Sequence, residues 1–188
     1  MTNPETTIFM AIIKESDIIR ESLLDVAKKM VMAAITAPKA RGINNIVAKI
    51  LTDRDIQELA KATRDIGEKN ENSIFLRDAS NVLKRADVVV LFGTRIRSIN
   101  LALCGICGFP GCKEKNQHPK IPCAFNTGDL GIAIGSAVSV AMDHRVDNRI
   151  MYTIGLAAQQ MGILGDDVPI VYGIPLSATA KNPFFDRK

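Results

Sequence analysis

The sequence predicts one compact domain, residues 1–188, of alternating helices and strands, with an irregular cysteine-rich stretch in its second half. Three observations carry this. Apolar residues recur at helical spacing in five segments, and three short runs read as strands. Residues 98–126 follow neither pattern and hold all four cysteines of the chain. An irregular stretch of that length in a compact domain is usually functional.

The first helix is expected over 16–36, with Ile19, Leu23, Val26, Met30 and Ala34 on its inner face, Ser16 and Asp17 at its start, and Pro38 and Gly42 ending it. Residues 46–51 ("IVAKIL") read as a strand. Asp53 then caps a helix with Ile56, Leu59, Ala60, Thr63 and Ile66 inward, closed by Gly67 and "EKNEN". A third helix follows over 73–85. Residues 87–93 ("DVVVLFG") form a continuously apolar strand, the pattern of burial on both faces. Beyond the cysteines, Thr127 or Asp129 caps a helix dominated by small residues, among them Gly131, Ala133, Gly135, Ala137 and Ala141, suited to a crowded core or a subunit interface. A helix over 148–161, a strand over 168–174 and a polar tail complete the chain.

Composition excludes several classes. The chain is 47% hydrophobic and 23% charged, ordinary for a soluble protein. No apolar run approaches the roughly 18 residues that span a bilayer, and the early run at 8–13 lacks a preceding basic stretch, so no membrane association is expected and the expected compartment is the cytoplasm. A net charge of +4, with no tryptophan and no aromatics interleaved with a basic run, argues against a nucleic-acid partner. Motifs of dinucleotide folds, P-loops, zinc proteases and serine hydrolases are absent from the sequence.

The cysteines are spaced C-x2-C-x4-C-x10-C: Cys104, Cys107, Cys112 and Cys123. Cytosolic thiols are kept reduced, so such a pattern points to metal or redox chemistry rather than disulfides. Gly105 and Gly108 let the backbone curl and aim N–H groups at sulfur, and Pro110-Gly111 turns the chain back toward Cys112. Four thiolates suit an iron–sulfur cluster. Zinc competes, although its four-cysteine sites typically show two separated C-x2-C knuckles. His118 reads as an exposed loop residue, and Lys113, Lys115 and Lys120 as a solvated basic rim or a docking site for an acidic electron carrier.

"CGICGFPGC" resembles the CGxCGxxxC motif of 4Fe–4S domains. With "TAPKARGINN" and "GIPLSATAKNPFFDR" it makes the chain similar to a family of bacterial and archaeal proteins containing a ferredoxin domain. That resemblance implies a 4Fe–4S cluster on Cys104, Cys107, Cys112 and Cys123. A broader resemblance is to FMN-dependent nitroreductases, carried by "LLDVAKKMVMAAITAPKARGINN", "TDRDIQELAKA", "ADVVVLFG", "DLGIAIGSAVSVAM" and "VPIVYGIP". It implies a nitroreductase-like three-layer α+β sandwich, a mixed sheet flanked by helices with the cysteine-rich segment 98–126 inserted. It also implies a homodimer with FMN at the interface, contacted by Lys39, Arg41, Gly42 and Asn44.

On its own terms, "APKARGINN" is either an anion grip or a pair of cations answering a helix C-terminus. Arg95 and Arg97 could join such a grip. Arg187 and Lys188 match the family's C-terminal basic residues, and His144 is a candidate proton carrier. The function expected is an iron–sulfur redox protein, extended by flavin to an oxidoreductase. The alternative is a zinc- or cluster-stabilised binding module on a scaffold without flavin, and no catalytic residue is assigned.

Overall fold

The computed structural model describes residues 12–185. Arg187 and Lys188, and most of the 8–13 run, lie outside the described residues. Six helices and four strands follow in the order α1 (Glu15–Thr36), β1 (Ile46–Thr52), α2 (Asp53–Lys69), α3 (Ser73–Arg85), β2 (Val88–Thr94), α4 (Cys112–Lys115), α5 (Ala124–Asp143), β3 (Asp147–Asn148), α6 (Tyr152–Gln160) and β4 (Ile170–Ser177).

The strands form one sheet in the order β1-β2-β4-β3. Strand β2 is central, and all seven of its residues are buried. Its side chains alternate between two cores. Val88, Val90 and Phe92 pack with Leu23, Met30, Ala133 and Ala137 of α1 and α5. Val89 and Leu91 pack with Leu59, Val82 and Ile154 of α2, α3 and α6. Each such buried Val, Leu, Ile, Phe or Met side chain contributes about 1.5–3 kcal/mol relative to exposure. The continuously apolar run read from the sequence is therefore the shared wall of a three-layer α+β sandwich.

Every described pairing in the sheet is antiparallel, where the resemblance implied a mixed sheet. The cause is the connection: α2 and α3 are two helices that go out and come back, so β2 starts at the end where β1 stopped and runs the other way.

Other boundaries differ for stated reasons. α1 starts at Glu15 with Lys14 as its N-cap, which puts Ser16 inside the first turn without a capping bond. Asp53 makes no cap either; its carboxylate accepts from Arg20 Nη2 at 2.5 and 2.6 Å. Gly67 does not end α2 but lies within it, where a Cβ would meet Leu76 Cδ2 at 2.9 Å; it lets α3 approach. α6 begins at Tyr152 rather than 148, because Asn148 pairs with Leu176 in the sheet and Met151 bridges Gly173. Of the apolar residues in the 148–161 segment, Ile154, Ala157 and Ala158 are buried while Ile150 and Met161 are exposed. Part of the segment read as a polar tail is built into the fold: Leu176 and Ser177 finish β4, and Phe184 is 1% exposed in the second core.

Small residues serve close packing. A Cβ on Gly155 would sit 2.0 Å from the Val171 carbonyl oxygen, and one on Gly173 would sit 2.4 Å from Ile154 Cγ2. α6 thus lies directly on β4. On α5, Ala133, Ala137 and Ala141 are fully buried against α1, and Ser136 Oγ donates to the Ala33 carbonyl at 3.1 Å. Gly128, Gly131 and Gly135 face outward, with open space where a Cβ would stand.

Candidate functional site

Three chain segments converge at one end of α5: the 37–45 turn, the 95–100 stretch leaving β2, and the first turns of α5. Asp129, 6% exposed, accepts from the Ala40 amide at 3.1 and 3.2 Å. It holds the turn rather than capping α5, whose N-cap is Cys123. Arg41 adopts φ 56 and donates through Nη1 to the carbonyls of Ile99 (2.9 Å) and Asn100 (3.3 Å). Asn126 is fully buried. Its Oδ1 accepts from Arg97 N and its Nδ2 donates to Arg97 O, both at 3.0 Å. That reciprocal pair ties the two ends of the cysteine segment into a neck.

Above the neck the backbone is irregular except for α4. Gly108, at φ +88, donates its N–H to Gly105 O at 3.0 Å and so turns the chain directly after Cys107. A Cβ on Gly105 would stand 3.2 Å from the Phe109 carbonyl oxygen. These are the positions where the sequence required a curling backbone. All four cysteines are free thiols; Cys104, Cys107 and Cys112 are half-buried and Cys123 is buried at the start of α5. Among the described residues, no three His, Cys, Asp or Glu side chains stand close enough to share a metal ion. The donor set fits a cluster in number and type: four thiols, no disulfide and one tethered segment.

The basic rim divides. Lys113 and Lys120 are exposed, but Lys115 is 3% exposed, so the solvated-loop reading fails for it. Its place in the short α4 turn folds its stem inward. His118 is exposed and stacks on Phe109 at 5.1 Å, consistent with a loop residue. Leu103 is fully exposed and Ile106 largely so, beside Cys104 and Cys107.

The flavin-contact expectation meets a mixed set of residues. Lys39 Nζ donates to the carbonyls of Ala34 (2.5 Å), Ile35 (2.8 Å) and Ala37 (2.6 Å). An ammonium has three donors, so Lys39 closes the C-terminus of α1 and has none left for phosphate. Burial draws its amine below the ordinary lysine value, against the pull of Asp129. Asn44 Oδ1 accepts from Ile46 N and shapes the turn. Gly42, at φ +67, has open space beside it. Asn45, 4% exposed, carries a buried Nδ2 with no partner among the described residues. Arg95 is drawn away, its Nε donating to Asp167 Oδ2 at 2.5 Å. His144 is exposed near Lys29 Nζ, 3.5 Å away, and is not gathered with the site.

Sequence reasoning missed Asn45, Asn126 and Asp129 as site-building residues. None of the three carried a distinct local signal: Asn45 and Asn126 stand next to polar residues, and Asp129 read as a helix cap.

The fold has known counterparts. The chain superposes on nitroreductase A from Vibrio parahaemolyticus with a TM-score of 0.53 and 13% identity, covering 87% of this chain and 61% of that one. It also superposes on a protein from Desulfovibrio desulfuricans described as a nitroreductase and solved in complex with FMN, with a TM-score of 0.57 and 13% identity, covering 87% and 78%. The fold is nitroreductase-like. Residues 120–187 match the family described as uncharacterized proteins containing a ferredoxin domain, a match that includes Cys123 and starts after the other three cysteines. An uncharacterized protein of Archaeoglobus fulgidus is 35% identical over 183 residues, 94% of this chain and 97% of the relative. The chain belongs to that ferredoxin-domain family. No helix among the described residues is long and apolar enough to cross a membrane.

Proposed function

We propose that this protein is an iron–sulfur redox protein whose cluster is held by Cys104, Cys107, Cys112 and Cys123. The observation that carries the reading is the donor set: four free thiols in one segment, closed at its neck by Arg97 and Asn126, in a member of a ferredoxin-domain family. When bound, such a cluster supplies one-electron transfer at a potential set by charge and hydrogen bonding around its sulfurs. The chain's own part is to hold and tune. Gly105 and Gly108 leave the backbone free to turn around the thiolates. The N-terminus of α5 favours negative charge at Cys123. Lys115 brings a cation into the same segment. Exposed Leu103 and Ile106, in the same segment as exposed Lys113 and Lys120, offer an acidic electron-carrier protein a contact surface.

Protein purified without oxygen tests this by iron, sulfide, zinc and flavin content. About four irons per chain are expected for a 4Fe–4S cluster, lost in Cys107→Ser and Cys123→Ser. One zinc and no colour would replace electron transfer by a zinc-stabilised binding module.

A second reading adds FMN. The unpartnered Asn45 amide, the remaining guanidinium nitrogens of Arg41 and the open space at Gly42 favour it, while the full engagement of Lys39 counts against it. Exposed Ile132 and Met142, beside the outward glycines of α5, would then meet a second copy in a homodimer. Reconstitution with FMN, weakened in Arg41→Ala, checks the flavin, and sedimentation velocity checks the dimer.

A further inference from the structure

A separate cleft of about 580 Å³ opens between α3 and the chain that follows β4. Its volume lies in the range of small-ligand sites. One wall is a single face of α3: Arg77, Ser80, Asn81, Lys84 and Arg85, spaced so that all five point the same way on a helix. The other wall is the strap carrying Thr179 and Lys181.

The strap is held in place. Asp147 Oδ2 accepts from Thr179 N at 3.1 Å and from Thr179 Oγ1 at 2.9 Å. Arg149 donates to Phe184 O at 2.7 Å, and its guanidinium lies over Phe185 at 5.0 Å. Phe184 is locked in the core beneath. The cleft is therefore preorganised, which lowers the ordering cost of binding.

Its chemistry is one-sided. Among the described residues, no acidic side chain lines it. Asp78 neutralises Arg77 at 2.9 Å and turns inward to Thr153. Lys84 and Arg85 have no ion pair among the described residues. Asn81 lines the cleft, and its buried Nδ2 has no hydrogen-bond partner among the described residues. Cations in the last turn of a helix answer its dipole, which accounts for Lys84 and Arg85 taken alone. It does not account for Arg77, Ser80 and Asn81 lining the same space.

We propose that this cleft binds a small phosphorylated anion of at least two charges, of the pyrophosphate or phosphate-ester class. Lys84 and Arg85 are its charge partners, and Ser80 and Asn81 its neutral donors. Guanidinium and ammonium groups together match phosphoryl oxygens. With no aromatic residue in the lining among the described residues, recognition is of the phosphate rather than of a stacked base. The inference is independent of the cluster.

Calorimetric titration of the full-length protein with inorganic pyrophosphate at low salt tests it. Saturable binding of one pyrophosphate per chain is expected. The Lys84→Gln/Arg85→Gln double variant should bind about tenfold or more weakly, the scale of a lost charged hydrogen bond. Asn81→Ala should weaken binding by a smaller factor, and Lys113→Gln in the cysteine segment should leave it unchanged. Lys84 and Arg85 are exposed, and matching melting curves establish that the variant is folded. Absence of saturable binding would overturn the proposal, as would equal affinity in the double variant. Tighter binding of a single-stranded oligonucleotide, with a steep loss in salt, would overturn it in favour of a nucleic-acid surface.

Discussion

Replacing Asn126 by alanine opens the neck of the cysteine segment. The buried amide makes two hydrogen bonds to one residue, accepting from Arg97 N and donating to Arg97 O at 3.0 Å each. At about 1 kcal/mol net per bond, the loss is about 2 kcal/mol. If the freed amide and carbonyl of Arg97 stay dry, the cost rises to about 4 kcal/mol. Asn126→Asp should cost at least as much despite its equal size: it keeps the acceptor for Arg97 N but sets a carboxylate against Arg97 O, with no donor between them. The assay is urea unfolding of anaerobically purified protein, with an unchanged m-value taken as the sign that stability alone moved. Iron retention against a chelator is measured on the same samples and should fall in both variants. A loss below about 0.5 kcal/mol, the range of an ordinary surface substitution, with iron retention unchanged, would refute the neck.

Gly155→Ala places a methyl 2.0 Å from the Val171 carbonyl oxygen; α6 must lift from β4, and a loss of about 3 kcal/mol or more is expected in thermal melts. Thr153→Val removes the 2.7 Å bond to buried Asp78 and should cost about 1–3 kcal/mol, measured by denaturant unfolding. Lys39 titrates below 10.5 in the folded protein because burial disfavours its charge. The unfolded chain then binds more protons just below that value, so stability rises with pH through the window and is lost as pH falls through the folded value. Lys39→Met should flatten that slope in a series of melts across alkaline pH, and an unaltered slope would contradict the assignment.

Much of the scaffold was legible because local signals and tertiary packing agreed. The third helix is found at 73–85 as read, with Asn72 Oδ1 accepting from Ile74 N and Phe75 N at its start. Strand β2 was legible because a run without polar residues can only be buried on both faces. The errors have one physical source: the partner was far away in sequence. Asp53 and Asp129 stand where caps belong, yet their partners are Arg20 and Ala40, 33 and 89 residues away. Asn148 carries helical periodicity but pairs with Leu176. Lys39 read either as an anion grip or as a helix-end cation, and only the three carbonyls around it decide for the second. In the cysteine segment, the turn at Gly108 was legible from its glycine, while the neck through Asn126 had no sequence signature.

The central claim is that the four cysteines hold a cluster that passes single electrons. Electron paramagnetic resonance of the anaerobically purified protein, before and after chemical reduction, tests it most directly. The account predicts a signal that appears on reduction, vanishes on reoxidation, and is absent from Cys107→Ser. A protein that stays silent through the cycle while holding a full complement of zinc would contradict it.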